Sequence, residues 1–304
     1  MSNFILIIFC LSAGIISRKF NWVAKDGFKA LNAWVLYFGL PAISFNFLPK
    51  LQWDNSLLFT MLGPILVLSG SILFFYILEK VTKISKRTSH TLMLIAGLSN
   101  TSFVGFPLIT AYFGVEALPI GIVSDQMTFF LLSTVGVIVA MKGSLKKNKK
   151  VDFLFILKRV FTFPPLIGCL LALSVPRVID LSSLDEFFRI LGSTVSPIAL
   201  FSIGLQLNFA IVKTEVPNII YALLYKLLIA PGIVALIAIW LGLKGEIPQV
   251  SMFEMAMPSL VATSIILNQF KLNSKVGNSV IGLSIPIGLL TTYMWHHLLT
   301  TYFL

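Results

Sequence analysis

The sequence predicts an all-α polytopic membrane protein: ten transmembrane helices arranged as two inverted five-helix repeats, with the fourth and ninth helices broken and crossing. Three observations lead there. The 304 residues are 57% hydrophobic and only 12% charged, with a mean hydropathy of +0.93, more apolar surface than a water-soluble domain of this length can hide. The Lys and Arg residues fall almost entirely in alternate loops between apolar segments, and two of those segments are interrupted by Asn, Ser, Thr and Pro at corresponding places.

Segments long enough to cross about 30 Å of hydrocarbon lie near residues 2–17, 28–48, 57–78, 90–113, 117–141, 158–176, 187–211, 217–242, 249–270 and 277–303. The first opens MSNFILIIFC, apolar almost at once. It lacks the basic region and small-residue cleavage site of a signal peptide, so it is expected to remain as a span. The second carries Pro41, the third has no charged residue, and the fourth holds SNTSFVGFPL at 99–108. Asp125 and Gln126 sit about two turns into the fifth. The sixth follows a basic linker, the seventh contains Pro197, and Lys226 interrupts the eighth. In the ninth, Glu254 lies one turn before Pro258, and the tenth ends with His296 and His297, rings suited to the membrane interface.

Loop charge orients these spans. One set of loops holds Arg18, Lys19, Lys25, Lys29, Lys80, Lys83, Lys86, Arg87, the run KGSLKKNKK at 142–150, Lys158, Arg159, Lys213, Lys271 and Lys275. The opposite set holds only Lys50, Arg177, Arg189 and Lys244. The positive-inside rule makes the first set cytoplasmic, and an even span count then puts both termini on the non-cytoplasmic side of a plasma membrane. The linker at 142–157 separates a first repeat, 1–141, from a second, 158–304, in opposite orientation. The net charge of +11 is accounted for by topology, so nucleic acid is not an expected partner. Cys10 and Cys169 lie far apart in apolar runs without a CxxC or zinc spacing and read as ordinary core residues; no metal or cofactor is expected.

The halves echo each other. VLYFGLPAISFNF (35–47) resembles LGSTVSPIALFSI (191–203), aligning Pro41 with Pro197; TSFVGFPLITAYFG (101–114) resembles PSLVATSIILNQFK (258–271), aligning Ser102 with Ser259; LLST (131–134) echoes LLTT (289–292). Three matches in the same order at nearly one offset support an inverted duplication. Irregular backbone at membrane depth is tolerated only where it is buried in protein or lines a watery cavity, and repeat-built transporters place a midplane site there. A broken helix offers N–H groups and the positive end of a half-helix dipole to an anion. Asn100, Thr101, Ser102, Pro107 and Pro258, Ser259, Thr263, Ser264 have the residue types for two crossing breaks, although small and hydroxyl residues also serve close helix packing. Asp125, Glu254 and Lys226 are ionisable groups inside spans, costly there and candidates for coupling or for helix locking; Lys226 needs a carboxylate or carbonyl partner.

No HExxH, GxSxG or paired-Asp motif supports an enzyme, and no GxxxxGK[ST] supports direct use of ATP. Together these residues resemble the auxin efflux carrier family, whose plant members are the PIN proteins and whose bacterial members include malonate carriers. The resemblance covers nearly the whole chain. It rests on LNAWVLYFGLPAISFNF (31–47), SNTSFVGFPL (99–108) with YFG (112–114), ALFSIGL (199–205), KLLIAPG (226–232) and MPSLVA (257–262). It implies ten helices in two inverted repeats, a scaffold subdomain set against a crossover transport subdomain drawn from both repeats, and elevator-type alternating access. It also implies that Asn100, Pro107 and Pro258 flank an anion site, with Ser44 and the Asp125–Gln126 segment nearby. Two departures limit the transfer: Asp125 stands where a plant glutamine aligns, and the third helix, LLFTMLGPILVLSGSILFF (57–75), has neither the Asp nor the Lys of plant members. The plant substrate is therefore not carried over. The expected function is a secondary carrier of a small organic anion, a mono- or dicarboxylate, with proton coupling through Asp125 or Glu254 as a hypothesis. A non-transporting sensor or channel on the same fold is the alternative. Partners are the anion, the lipid bilayer and, as the candidate assembly, a homodimer.

Overall fold

A computed structural model describes residues 2–82, 84–144, 153–207 and 211–303. Lys83 and the linker lysines 146, 147, 149 and 150, which entered the orientation argument, lie outside the described residues. In chain order the helices are α1 Ser2–Lys19, α2 Gly27–Lys50, α3 Ser56–Thr82, α4 Lys86–Gly97, α5 Thr101–Tyr112, α6 Val115–Gly143, α7 Phe153–Phe161, α8 Pro164–Arg177, α9 Ser182–Gln206, α10 Lys213–Trp240, α11 Glu246–Met255, α12 Thr263–Gln269 and α13 Ser274–Tyr302. The described residues hold no β-strand. Seven helices, α1, α2, α3, α6, α9, α10 and α13, are long and apolar enough to cross a membrane, while α5 and α8 are shorter apolar helices.

Three of the ten apolar segments are divided. The one at 158–176 is split before Pro164, which starts α8 at the position where its missing N–H costs nothing. Those at 90–113 and 249–270 are opened at 98–100 and 256–262. The seventh segment runs from Ser182 to Gln206, so it begins and ends earlier than the hydropathy pattern suggests. Side-chain caps start two helices: Ser85 accepts from the Thr88 N–H ahead of α4, and Asn273 from the Val276 N–H ahead of α13. Inside α2 and α10 and at the start of α5, π-turns at Val35–Gly39, Tyr225–Ile229 and Thr101–Gly105 each end two residues before a proline, Pro41, Pro231 or Pro107. The proline ring removes one backbone bond and crowds the preceding carbonyl, and a widened turn relieves both.

The Cα packing divides the chain into two compact units, each assembled from both sequence halves: one from Met1–Asp54, Ser102–Ile122 and Lys158–Leu207, the other from Asn55–Thr101, Val123–Leu157 and Asn208–Leu304. In the first unit α1 and α9 cross backbone to backbone. A Cβ on Gly14 would stand 2.3 Å from the Phe201 carbonyl oxygen, and one on Gly204 would stand 2.4 Å from that of Leu11. Only glycine fits both sides of this contact, the small-residue packing by which helices associate in lipid. The Asn32 amide oxygen of α2 accepts from Ser202 Oγ of α9 at 2.6 Å, and Gly168 of α8 lies against Pro41. The segment before α6 is tied in by Asn3 Nδ2 donating to the Thr110 carbonyl at 3.1 Å.

The second unit is built around two helices that are buried on every side: α4 from Thr88 to Gly97 and α11 from Pro248 to Met255. Hydroxyls bind them to α3, through Ser71 Oγ to the Met93 carbonyl (2.9 Å) and through Thr60 and Ser251 (2.6 Å between oxygens). By contrast α3 exposes Leu58, Leu73 and Ile77 on its outer face, as a helix bordering lipid does.

The Gly14–Gly204 crossing predicts that Gly14→Leu or Gly204→Leu destabilises the protein by about 1–3 kcal/mol or more through overpacking. Thermal unfolding in detergent measures this, and an unchanged midpoint for both variants would contradict so close a contact.

Candidate functional site

In the second unit the two opened segments meet. Leu98 is extended, with φ −123° and ψ 124°, and Ser99 pairs antiparallel with Ser259. The Asn100 N–H donates to the Pro258 carbonyl at 2.8 Å, and the Leu260 N–H donates to the Leu98 carbonyl at 3.0 Å. Backbone groups released by each break are thereby satisfied by the other, as a low-dielectric surrounding demands. Pro258 fits this register because its position contributes a carbonyl and needs no N–H. Behind the bridge, the Ser259 N–H donates to Ser284 Oγ of α13 at 3.2 Å.

The half-helix dipole is less available than the sequence argument assumes. At the start of α12 the N–H groups of Thr263, Ser264 and Ile265 already donate to the carbonyls of Leu260, Val261 and Ala262. Polar capacity resides instead in side chains. Asn100 is fully buried and neither its Nδ2 nor its Oδ1 has a hydrogen-bond partner among the described residues. The same holds for Ser259 Oγ, Thr263 Oγ1, Ser124 Oγ, Gln126 Oε1 and both carboxyl oxygens of Glu254. A buried polar atom left without a partner costs about 1–3 kcal/mol, and folded proteins tolerate few. Their concentration in one unit, on the two breaks and the helices beside them, marks a place suited to a polar solute or ordered water.

The ionisable groups are wired into the crossing. Thr101 Oγ1 donates to Asp125 Oδ1 at 2.6 Å, tying the end of the first break to α6. Lys226 is fully buried, and its Nζ donates to Ser99 Oγ at 2.5 Å and to the Met255 carbonyl at 3.3 Å. Among the described residues no ion pair includes Lys226; the three that occur, Lys29–Asp26, Lys50–Asp185 and Arg189–Glu186, are exposed. Its partners are thus a hydroxyl on the first break and a carbonyl at the end of the helix leading into the second, in place of a carboxylate.

Asn100, Thr101, Asp125, Gln126, Lys226, Glu254, Pro258, Ser259 and Thr263 all fall in this second unit. Ser102, Pro107 and Ser44 fall in the first. There Ser102 Oγ is buried with no partner among the described residues, Pro107 lies at the start of the α-helical part of α5, Phe106–Tyr112, and Ser44 Oγ already donates to the Leu40 carbonyl of its own helix at 3.0 Å. Sequence reasoning overlooked Ser124 and Ser284. Ser124 adjoins Asp125 and Ser284 precedes Pro286, so a search for hydroxyls flanking charges and prolines inside spans finds both.

The profile of the family described as membrane transport protein matches residues 1–296. An uncharacterized transporter of Methanocaldococcus jannaschii is 25% identical, covering 97% of each chain. One from Methanothermobacter thermautotrophicus is 22% identical over 93% of this chain and 92% of its own. The uncharacterized transporter YfdV of Escherichia coli K12 is 23% identical over 95% and 94%.

Two substitutions one residue apart should behave oppositely. Thr101→Val removes the donor to Asp125 and should cost about 1–3 kcal/mol, whereas Asn100→Ala removes a buried amide that no protein group satisfies and should leave stability unchanged or raised. Chemical or thermal denaturation of the two variants checks this; equal losses would show that Asn100 serves folding.

Proposed function

This chain belongs to the membrane transport protein family, the family of the auxin efflux carriers, and from that premise we propose that it is a secondary carrier of a small organic anion. The observation that carries the reading is that buried Asn100 Nδ2, Ser259 Oγ and Thr263 Oγ1, on or beside the two opened segments that pair at Ser99 and Ser259, have no partner among the described residues. Amide and hydroxyl donors of this kind bind a mono- or dicarboxylate without covalent chemistry.

The architecture belonging to this reading is ten spans in two inverted repeats, with α4–α5 and α11–α12 as the broken fourth and ninth. Support comes from their common build: a fully buried helix, an opened segment, then a short helix. The alternation of loop charge supports plasma-membrane insertion with both termini on the non-cytoplasmic side. Both breaks, Asp125, Glu254 and Lys226 share one compact unit, which favours an elevator-like motion in which that unit carries the crossing intact. Electrostatics favours proton coupling. A carboxylate entering a buried region that already holds Asp125, Glu254 and Lys226 sets three acids against one base, and a proton moving with each carboxylate cancels the charge that it adds.

Proteoliposomes test the reading. Saturable counterflow of a small carboxylate is expected, accelerated by an imposed pH gradient; non-saturable leakage would remove the carrier, and indifference to the gradient would remove the coupling. Asn100→Ala should weaken carboxylate affinity about tenfold or more. The intact crossing has its own check. A directly opposed antiparallel pair flanked by hydrogen bonds has Cα atoms about 4.5 Å apart, within disulfide range. A Ser99→Cys, Ser259→Cys double variant should therefore transport equally well oxidised and reduced, and arrest on oxidation would mean that the two breaks separate during the cycle.

A further inference from the structure

The basic side chain at the crossing is Lys226, and its surroundings give it more than a locking role. Ser99 and Ser259 are directly opposed in the bridge. Such residues carry their side chains on the same face, with Cβ atoms about 4.5–5.5 Å apart. Lys226 Nζ reaches that face, because it donates to Ser99 Oγ. Ser259 Oγ stands on it as well, fully buried and without a partner among the described residues. An ammonium has three N–H donors; Ser99 Oγ and the Met255 carbonyl take two, which leaves one, beside the Ser259 hydroxyl, as a second donor for a carboxylate.

The lysine is also pre-positioned from both sides. It lies inside the π-turn Tyr225–Ile229, a widening that recurs at functional sites. The Tyr225 hydroxyl donates to the Val67 carbonyl at 2.9 Å, and Trp295 Nε1 donates to the Leu227 carbonyl at 2.8 Å. The residues before and after Lys226 are therefore pinned to α3 and α13, which holds the ammonium in place without a carboxylate partner. A static lock would need no such rigidity on both flanks, nor a vacant hydroxyl opposite.

We propose that Lys226 and Ser259 form the subsite that binds a carboxylate group of the transported anion and make the carrier select anions over neutral isosteres. The inference rests on the anion-carrier reading and adds the residue that supplies charge selectivity. The ammonium contributes a charge-assisted hydrogen bond, stronger than those from the neutral amides and hydroxyls around it.

Thermal shift of purified protein separates the two claims, using acetate and malonate as probes, acetamide as the neutral isostere and sodium chloride as the ionic control. Wild type should be stabilised by a carboxylate and not by chloride; no carboxylate response would overturn the anion reading and this subsite together. Lys226→Met paired with Glu254→Gln, so that no acid is left facing a lost base, should bind the carboxylate about ten- to a hundredfold more weakly while acetamide affinity stays the same. Lys226→Arg should retain the preference for carboxylate over amide. If the paired variant does not fold, Ser259→Ala removes a single hydroxyl and should weaken carboxylate binding about tenfold. Carboxylate affinity unchanged in the paired variant, or in Ser259→Ala where only that variant folds, would overturn the subsite while leaving the carrier reading standing.

Discussion

A chain crossing hydrocarbon must pair every backbone N–H and carbonyl within itself, and the second unit depends on how it meets that constraint where two helices open. Neither break is tolerable alone. Together they exchange two backbone hydrogen bonds across Ser99 and Ser259, and each makes the other permissible. The polar side chains brought in by the breaks are thereby held at depth, away from lipid, by backbone geometry.

The rest of the unit serves that crossing. The helices entering the breaks, α4 and α11, are buried on all sides near their ends, so the extended segments emerge into protein. Lys226 links Ser99 Oγ on the first break to the Met255 carbonyl at the end of α11, where the second begins, and Thr101, next after the first break, is tied to Asp125 on α6. Prolines do related work elsewhere: each of three π-turns precedes one, so the rings that interrupt helical bonding also re-aim side chains such as Lys226. In the first unit the same economy of space takes another form, glycine against glycine where α1 meets α9.

Relative to the plant carriers that it resembles, the chain lacks an Asp and a Lys in its third helix, where it reads LLFTMLGPILVLSGSILFF. Within the same unit a buried base is present all the same, supplied by α10 as Lys226, with buried acids on α6 and α11. The charge has a different origin in the sequence, which is the physical reason to derive substrate preference from this chain's own residues.

Much of this was legible beforehand. The apolar runs and the lysine-rich loops determine a membrane protein, since hydrocarbon excludes charge wherever it occurs in the chain. Asn100 to Pro107 and Pro258 to Thr263 announced irregular backbone, since Asn, Pro and clustered hydroxyls are poor continuous helix in lipid. Tertiary structure alone decided what those residues do. That Ser99 faces Ser259, and that Lys226 has a hydroxyl and a carbonyl for partners while the Asn100 side chain has none among the described residues, are facts of contact between segments distant in the chain. Periodicity and residue type report what a position tolerates, whereas a hydrogen bond depends on distances of a few tenths of an ångström that only the packed molecule sets.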